Sequence, residues 1–479
     1  MTNYFVMKQL STAALLFLLT ACGGGGNPPP VVTPPPVTMQ FTVVVCSGTS
    51  GDYCTNLPKV AGARLVIDTK QVGTTNANGF AGDVVARGAH EVEVTADGCD
   101  ARAFSITMTN PYHRDVRLSC VPPISKLRVE GRFWVNDKGT YRPRWASGLA
   151  LLSRPSPDRT TFLDEARALG FDGVRVFAGD LGWAGQTPAS ALANIPSLLS
   201  EAHSRGLYTY LVAITGSASG YNVEDYLRQV AAECAKVISC VLEVANEIGH
   251  SSQSSTVNDP RQLEAIAQRA VPAGMVYSLG AMLGQDEVDP NGVYPPNGTS
   301  PFNTAHLDRG RDPWPEMIRR VREIAGISEN TNKPAMSGEP IGAAEVYSED
   351  RRSDNPNLFF TYGALCRMFE VGCVFHSEDG LLGRPLRPIQ KESAKQFLEG
   401  WKAVATDARL SYQNAGWAGG DPPVSSFTGA TRVYSGINGS DGYTVVVGDT
   451  GVQIQWKNGW APVGEPVRRD GAQVIHIRR

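Results

Sequence analysis

The chain has 479 residues, too many for one ordinary domain and enough for a large domain with one or two small ones. A net charge of −3 and a pI near 6.2 supply no basic field for nucleic acid and no acidic tail. The expected partner is therefore small or neutral.

The opening residues combine Lys8, an apolar run and Leu19-Thr20-Ala21-Cys22, with Met7 as an alternative start. This resembles a bacterial lipoprotein signal. The resemblance implies loss of residues 1–21 and a lipid on Cys22, placing the protein on the bacterial cell envelope, on the periplasmic or surface face of the outer membrane. The apolar run is too short to span a bilayer permanently, so the N-terminal lipid is the only membrane contact expected. Residues 22–38, rich in Gly and Pro, cannot bury a core and read as an extended tether.

Setting Cys22 aside leaves eight of the nine cysteines: Cys46, Cys54, Cys99, Cys120, Cys234, Cys240, Cys366 and Cys373. Their local grouping and even number suit disulfides in an exported protein, with the connectivity left open. No Cys or Cys/His spacing points to zinc, and neither metal nor cofactor is expected.

From 39 to 121, short alternating strands such as FTVVV, ARLVI, HEVEVTA, FSITM and DVRLS lie between Gly, Asn and Asp turns, the pattern of a small β-sandwich. The run from Gly62 to Gly98 resembles carboxypeptidase regulatory-like domains, which implies a spacer or binding module without catalysis.

Residues 122–423 open with a hairpin expected to cap the bottom of a barrel and then alternate apolar runs with helical stretches. One helix is expected at 158–170, with Phe162, Leu163, Ala166 and Leu169 on one face. The count of strands is eight, and their near-continuous apolar character fits a parallel (β/α)8 barrel, an α/β fold. Residues 424–479 return to strands and form a small C-terminal β unit packed on the barrel.

Two strand ends carry the chemistry. Val241 to Gly249, VLEVANEIG, ends in Asn246-Glu247, and Pro334 to Gly342, PAMSGEPIG, carries Glu339. These resemble the fourth- and seventh-strand motifs of clan A glycoside hydrolases, among them the family five cellulases and mannanases.

The resemblance implies Glu247 as general acid/base and Glu339 as nucleophile of a retaining O-glycosyl hydrolase acting on a β-linked polysaccharide or oligosaccharide. Retention requires two carboxyls about 5 Å apart, one protonated and one ionised. It also implies that Asn246 bonds the sugar 2-hydroxyl and that Arg175, on the second strand, sits beside the nucleophile. Glu243 faces the same way as Glu247 one layer deeper and is expected to be a buried acid paired with an arginine.

Two departures from the family pattern bear on the substrate. The sixth strand offers His306-Leu307-Asp308-Arg309 in place of a His and a Tyr, which leaves His306 as either a substrate or nucleophile contact or a core histidine, and Tyr277 as either a substitute phenol or a core residue. The eighth strand lacks the Trp platform and offers Phe375, His376 and Glu378, making His376 a sugar contact and Glu378 or Asp379 a reserve acid. Trp183, Tyr294 and Trp314 are candidate stacking residues, and Trp145 belongs either to the core or to the floor of the cleft.

The expected partner is a carbohydrate substrate, with no nucleic acid, and the protein is expected to act as a monomer. Rival readings are a catalytically silent barrel that binds carbohydrate or serves as a structural surface lipoprotein, and a transglycosylase on the same barrel. A metal-dependent hydrolase is disfavoured because the strand ends lack a His/Asp cluster.

Overall fold

The apolar runs become strands buried on both faces because each must cover one side with helices and the other with the barrel interior. In the computed structural model these strands form a nearly closed eight-stranded parallel sheet in the order β15 (Tyr277–Ser278), β14 (Cys240–Ala245), β13 (Tyr208–Ile214), β12 (Gly173–Phe177), β11 (Arg144–Ser147), β18 (Gly372–Phe375), β17 (Ala335–Ser337), β16 (Asn303–Ala305). The residues described are 37–47, 54, 57, 59–96, 99, 101–118, 120, 124–216, 221–250, 253–281, 298–306, 314–339, 356–404, 413–414, 423–430, 432–448, 451–457, 459–469 and 471–479. Two compact units divide at Ser119 and Cys120. Residues 1–36, which include Cys22 and most of the expected tether, lie outside the described residues.

The first unit contains seven strands: β1 (Thr38–Ser47), β2 (Arg64–Ile67), β3 (Lys70–Thr74), β4 (Phe80–Ala86), β5 (Gly88–Thr95), β6 (Arg102–Met108) and β7 (Tyr112–Leu118). They form two sheets, β4-β1-β7 and β3-β2-β5-β6. Alternation sets each buried face, as with Phe41, Val43 and Val45 on β1 and Val92 and Val94 on β5. Sequence reading named five strands here and passed over β3 and β4, whose polar residues and glycines blur the period.

The second unit begins with a meander, β8 (Arg128–Glu130), β9 (Phe133–Asn136) and β10 (Gly139–Tyr141). Trp134 of β9 packs on Trp145 and Phe302 in the barrel interior, so the meander caps the end where the barrel strands begin. The barrel strands are β11 (Arg144–Ser147), β12 (Gly173–Phe177), β13 (Tyr208–Ile214), β14 (Cys240–Ala245), β15 (Tyr277–Ser278), β16 (Asn303–Ala305), β17 (Ala335–Ser337) and β18 (Gly372–Phe375). Strands β15 to β17 are shorter than their apolar runs suggested.

The helices are α1 (Ser156–Leu169), α2 (Pro188–Ser204), α3 (Val223–Ala235), α4 (Ser255–Asn258), α5 (Pro260–Ala270), α6 (Trp314–Thr331), α7 (Pro356–Met368), α8 (Glu378–Leu381) and α9 (Pro388–Ala403). Their ends follow local chemistry. Thr187 and Ser190 form a reciprocal capping box on α2, Asn222 caps α3 and Asp259 caps α5. Gly170 ends α1 at φ 108°, a left-handed position that an L side chain adopts only with strain. Phe162, Leu163 and Ala166 of α1 are buried as their spacing required.

The C-terminal strands are β19 (Gln413–Asn414), β20 (Val424–Thr428), β21 (Arg432–Asn438), β22 (Asp441–Val447), β23 (Gln453–Trp456), β24 (Ala461–Pro462), β25 (Val467–Arg469) and β26 (Ala472–Arg478). Tyr434, Tyr443, Val445 and Val474 join the core that includes α7, and Arg469 pairs with Glu399 of α9. Disulfides join Cys46 to Cys54, Cys234 to Cys240 and Cys366 to Cys373, and Cys99 and Cys120 are disulfide-bonded as well. Among the described residues no helix is long and apolar enough to cross a membrane.

Candidate active site

Strand parity decides what the barrel interior receives. On β12 the alternation places Arg175 inward, fully buried, and on β14 it places Glu243 inward, also fully buried. Such charges are tolerated inside only as a hydrogen-bonded set. The guanidinium bonds Glu243 through Nε at 3.1 Å and through Nη2 at 2.9 and 3.2 Å. Nη2 also donates to the Asn246 side-chain oxygen at 2.9 Å, and Nη1 donates to Glu339 at 2.7 Å. Burial works to lower the Arg175 pKa, but Glu243 and Glu339 outweigh it and hold the guanidinium more firmly charged. Glu243 is thus the arginine-paired acid expected from its position on the strand.

Glu247 and Glu339 meet at the C-terminal end of the strands, where (β/α)8 barrels place their chemistry. Glu339 follows β17 and is 5% exposed, while Glu247 follows β14 with its side chain 17% exposed. His306, 1% exposed and next after β16, stands between them. Its Nδ1 lies 3.6 Å from Glu247 and its Nε2 4.0 Å from Glu339. A carboxylate oxygen of each acid and a ring nitrogen all fall within 4.8 Å of one another. Burial works to lower the His306 pKa, but the charge of Glu339 and the proximity of Glu247 turn the balance and raise it.

Two backbone features shape the pocket. Glu247 has φ 46°, a left-handed conformation rare for a non-glycine residue, which turns the chain out of β14 at the acid itself. Gly338 packs so closely that a Cβ there would lie 2.9 Å from His306 Nε2 and 3.4 Å from Arg175 Cζ. Sequence reading missed Gly338, although a glycine directly before a candidate nucleophile is the usual mark of a close approach. It also missed Tyr210 of β13, whose ring lies 5.6 Å from the Arg175 guanidinium carbon and whose hydroxyl bonds Thr304 and Ser278.

The other candidates divide. His376 follows β18, is 1% exposed and shares the inward parity of Val374, whereas Phe375 points outward into the helix-facing core. Trp145 is fully buried among Trp134 and Tyr210, a core residue and not a cleft floor. Tyr277 packs on the core between sheet and helices and is not brought to the acids, because β15 sends Ser278 inward. Trp183 lies after β12 in the short turn Gly182–Ala184, 55% exposed at the same end of the barrel as Glu247 and Glu339.

Asp379 is fully buried and tied to Arg384 and Arg387, and Glu378 pairs with Arg387, so both brace the turn after β18. Burial tends to raise the Asp379 pKa, but its bonds to Arg387 and Arg384 bring it below the usual value. Trp314 opens α6 with only its backbone described, and Tyr294 and 307–309 lie outside the described residues.

Glu247, His306 and Glu339 are also the only trio of metal-ligand type among the described residues. A cation there would sit against the Arg175 guanidinium, already 2.7 Å from Glu339, and like charge opposes it. What the arrangement supplies without a metal is one carboxylate held by a cation and a second, more open carboxyl with an oxygen within 4.8 Å of the first.

Fold and site together define a (β/α)8 barrel with paired carboxylates on its C-terminal rim. No family model matches the chain, and no curated protein matches it by sequence. Solved structures do match. A glycoside hydrolase family 5 structure from Bacteroides vulgatus aligns over 74% of this chain and 93% of its own, with 11% identity and a TM-score of 0.51. A second structure, described as a glycoside hydrolase, aligns over 74% of this chain and 97% of its own, with 11% identity and a TM-score of 0.51. At that identity the likeness is one of fold.

Proposed function

We propose that the protein is a retaining glycoside hydrolase that cleaves a β-linked polysaccharide or oligosaccharide by double displacement. Glu339 attacks the anomeric carbon while Glu247 protonates the departing oxygen. Glu247 then takes a proton from the water that releases the glycosyl-enzyme. The observation that carries this reading is the approach of one oxygen of each carboxylate to within 4.8 Å of the other over the barrel mouth, which supports the short separation, about 5 Å, that retention requires. Arg175 gives Glu339 the counter-charge a nucleophile needs, and the Asn246 side chain, fixed by the same guanidinium, is placed to meet a sugar hydroxyl.

The fold neighbours, entitled glycoside hydrolases, agree with this chemistry. The lipobox ending at Cys22 supports a lipid-anchored protein of the bacterial envelope, with the first unit as its spacer.

The test uses a panel of β-glucans, mannans, xylans and galactans to find a substrate, and then a 2-fluoro-sugar of the matching type. Wild-type protein should gain one glycosyl mass on the peptide containing Glu339, and Glu339→Ala should lose hydrolysis while still binding ligand. Labelling of a different residue, or hydrolysis unchanged in Glu339→Ala, refutes the assignment.

A further inference from the structure

Backbone bonds do not close the barrel sheet all the way round. Strands β15 and β16 are the two ends of its strand order, and among the described residues no ladder joins them. Strand β16 is therefore held by a ladder on one side, where Asn303, Thr304 and Ala305 pair with Ala335, Met336 and Ser337 of β17. Yet β16 leads directly into His306, the group that stands between Glu247 and Glu339.

Three hydroxyls bridge this seam. Ser278 of β15 and Thr304 of β16 are hydrogen-bonded across it at 2.8 Å, and the Tyr210 hydroxyl, from β13, meets Thr304 at 2.5 Å and Ser278 at 3.3 Å. All three residues are buried. A hydroxyl carries one proton, so a triangle in which each oxygen donates once and accepts once satisfies every donor, and such bonds reinforce one another away from water. The Tyr210 ring packs on Trp145 and Phe302, so the polar triangle stands where apolar neighbours would favour an apolar filling.

The triangle reaches the acids' surroundings from two sides. Thr304 and His306 are two residues apart and share one face of the strand, about 7 Å along it. Tyr210 pairs in register with Arg175, its ring 5.6 Å from the guanidinium carbon, and Ser278 pairs in register with Glu243.

We propose that Ser278, Thr304 and Tyr210 are positioning residues, whose hydroxyls close the barrel seam and fix His306 in its place between the two acids. This rests on the reading of Glu247 and Glu339 as the reacting carboxyls. The bond from Ser278 to Thr304 matters most, because among the described residues it alone joins the two edge strands. The charged groups facing His306 are Arg175 of β12, Glu247 after β14 and Glu339 after β17. Burial and Arg175 work to lower its pKa, and the two acids raise it beyond them. A ring that drifts from the acids therefore titrates at lower pH.

The test follows the His306 ring by NMR in the intact protein labelled with carbon-13 histidine, its signal being the one of seven that His306→Asn lacks. Thr304→Val keeps the side chain's shape and removes the hydroxyl. The His306 midpoint should fall by about one pH unit, and kcat should fall by about 10-fold with KM held within about 2-fold. Ser278→Ala should do the same. Tyr210→Phe leaves the Ser278–Thr304 bond and should do less, and Thr304→Ser should keep wild-type behaviour. Tyr362→Phe removes a buried hydroxyl bond of 2.9 Å between α7 and β17, and should lower the melting temperature while leaving the His306 midpoint alone.

An unchanged midpoint in Thr304→Val or in Ser278→Ala, or an equal shift in Tyr362→Phe, overturns the proposal and marks the hydroxyls as packing only. Should one seam variant fail to fold, the other decides. A wild-type protein that hydrolyses no glycan strikes the proposed function instead, and the His306 midpoint still decides the role of the seam.

Discussion

Replacing Arg175 by Met keeps much of the side chain's volume and removes its charge and all five of its hydrogen bonds to Glu243, Asn246 and Glu339. The partners left behind are a fully buried Glu243 and a Glu339 side chain only 6% exposed. Removing one member of a buried ion pair typically costs about 3–5 kcal/mol, because the remaining charge stays desolvated. For a unit this large that lowers the melting temperature by on the order of 5–15 °C. Glu339 loses the bond that aims it, and a displacement of about 1 Å at a reacting group costs ~100-fold in rate.

The informative variant is the double one. If Arg175 acts mainly by neutralising Glu243, adding Glu243→Gln to Arg175→Met should recover about 1 kcal/mol or more, since the orphaned charge is gone. Activity should stay low because Glu339 still lacks the Arg175 charge and hydrogen bond. Differential scanning calorimetry and initial rates on one substrate measure both quantities. An Arg175→Met protein that melts within 1–2 °C of wild type, or a double variant less stable than either single one, refutes the charge accounting.

Glu247→Gln should cut hydrolysis of the natural glycan by about 10²–10⁴-fold, yet leave glycosyl-enzyme formation from a dinitrophenyl glycoside nearly intact because that leaving group needs no proton. Equal losses on both substrates, by stopped-flow kinetics, would remove the acid role. The raised His306 pKa means its protonated form is favoured by folding, so that stability is fully present below the unfolded value near 6.5 and is lost as pH rises through the folded value. The stability deficit of His306→Asn should accordingly be largest near pH 5–6 and shrink toward pH 9, and melts showing a deficit that grows with pH contradict the assignment. Gly338→Ala should press on His306 and Arg175 and lower kcat by ~100-fold with the fold retained; wild-type kinetics would show the contact to be slack.

The eight barrel strands were readable because parallel strands buried on both faces must be apolar throughout, and Glu243 stood out because it breaks that rule at an inward position. The pairing of Glu247 with Glu339 followed from two strand-end motifs. The role of His306 as the group between them depends on the closure of the barrel, which no local pattern encodes. Tyr277 stayed open between core and cleft because β15 is only two residues long, so its apolar run did not reveal which residue turns inward.

The left-handed turn at Glu247 puts the acid on a backbone that the residue itself disfavours by about 1–3 kcal/mol. Glycine would relax that torsion but remove the carboxylate that helps hold the His306 proton, so any gain in melting temperature from Glu247→Gly should show at about pH 9 and shrink toward about pH 5–6. Directed evolution for heat tolerance alone, run in alkaline buffer with no demand for turnover, would be expected to discard this glutamate early.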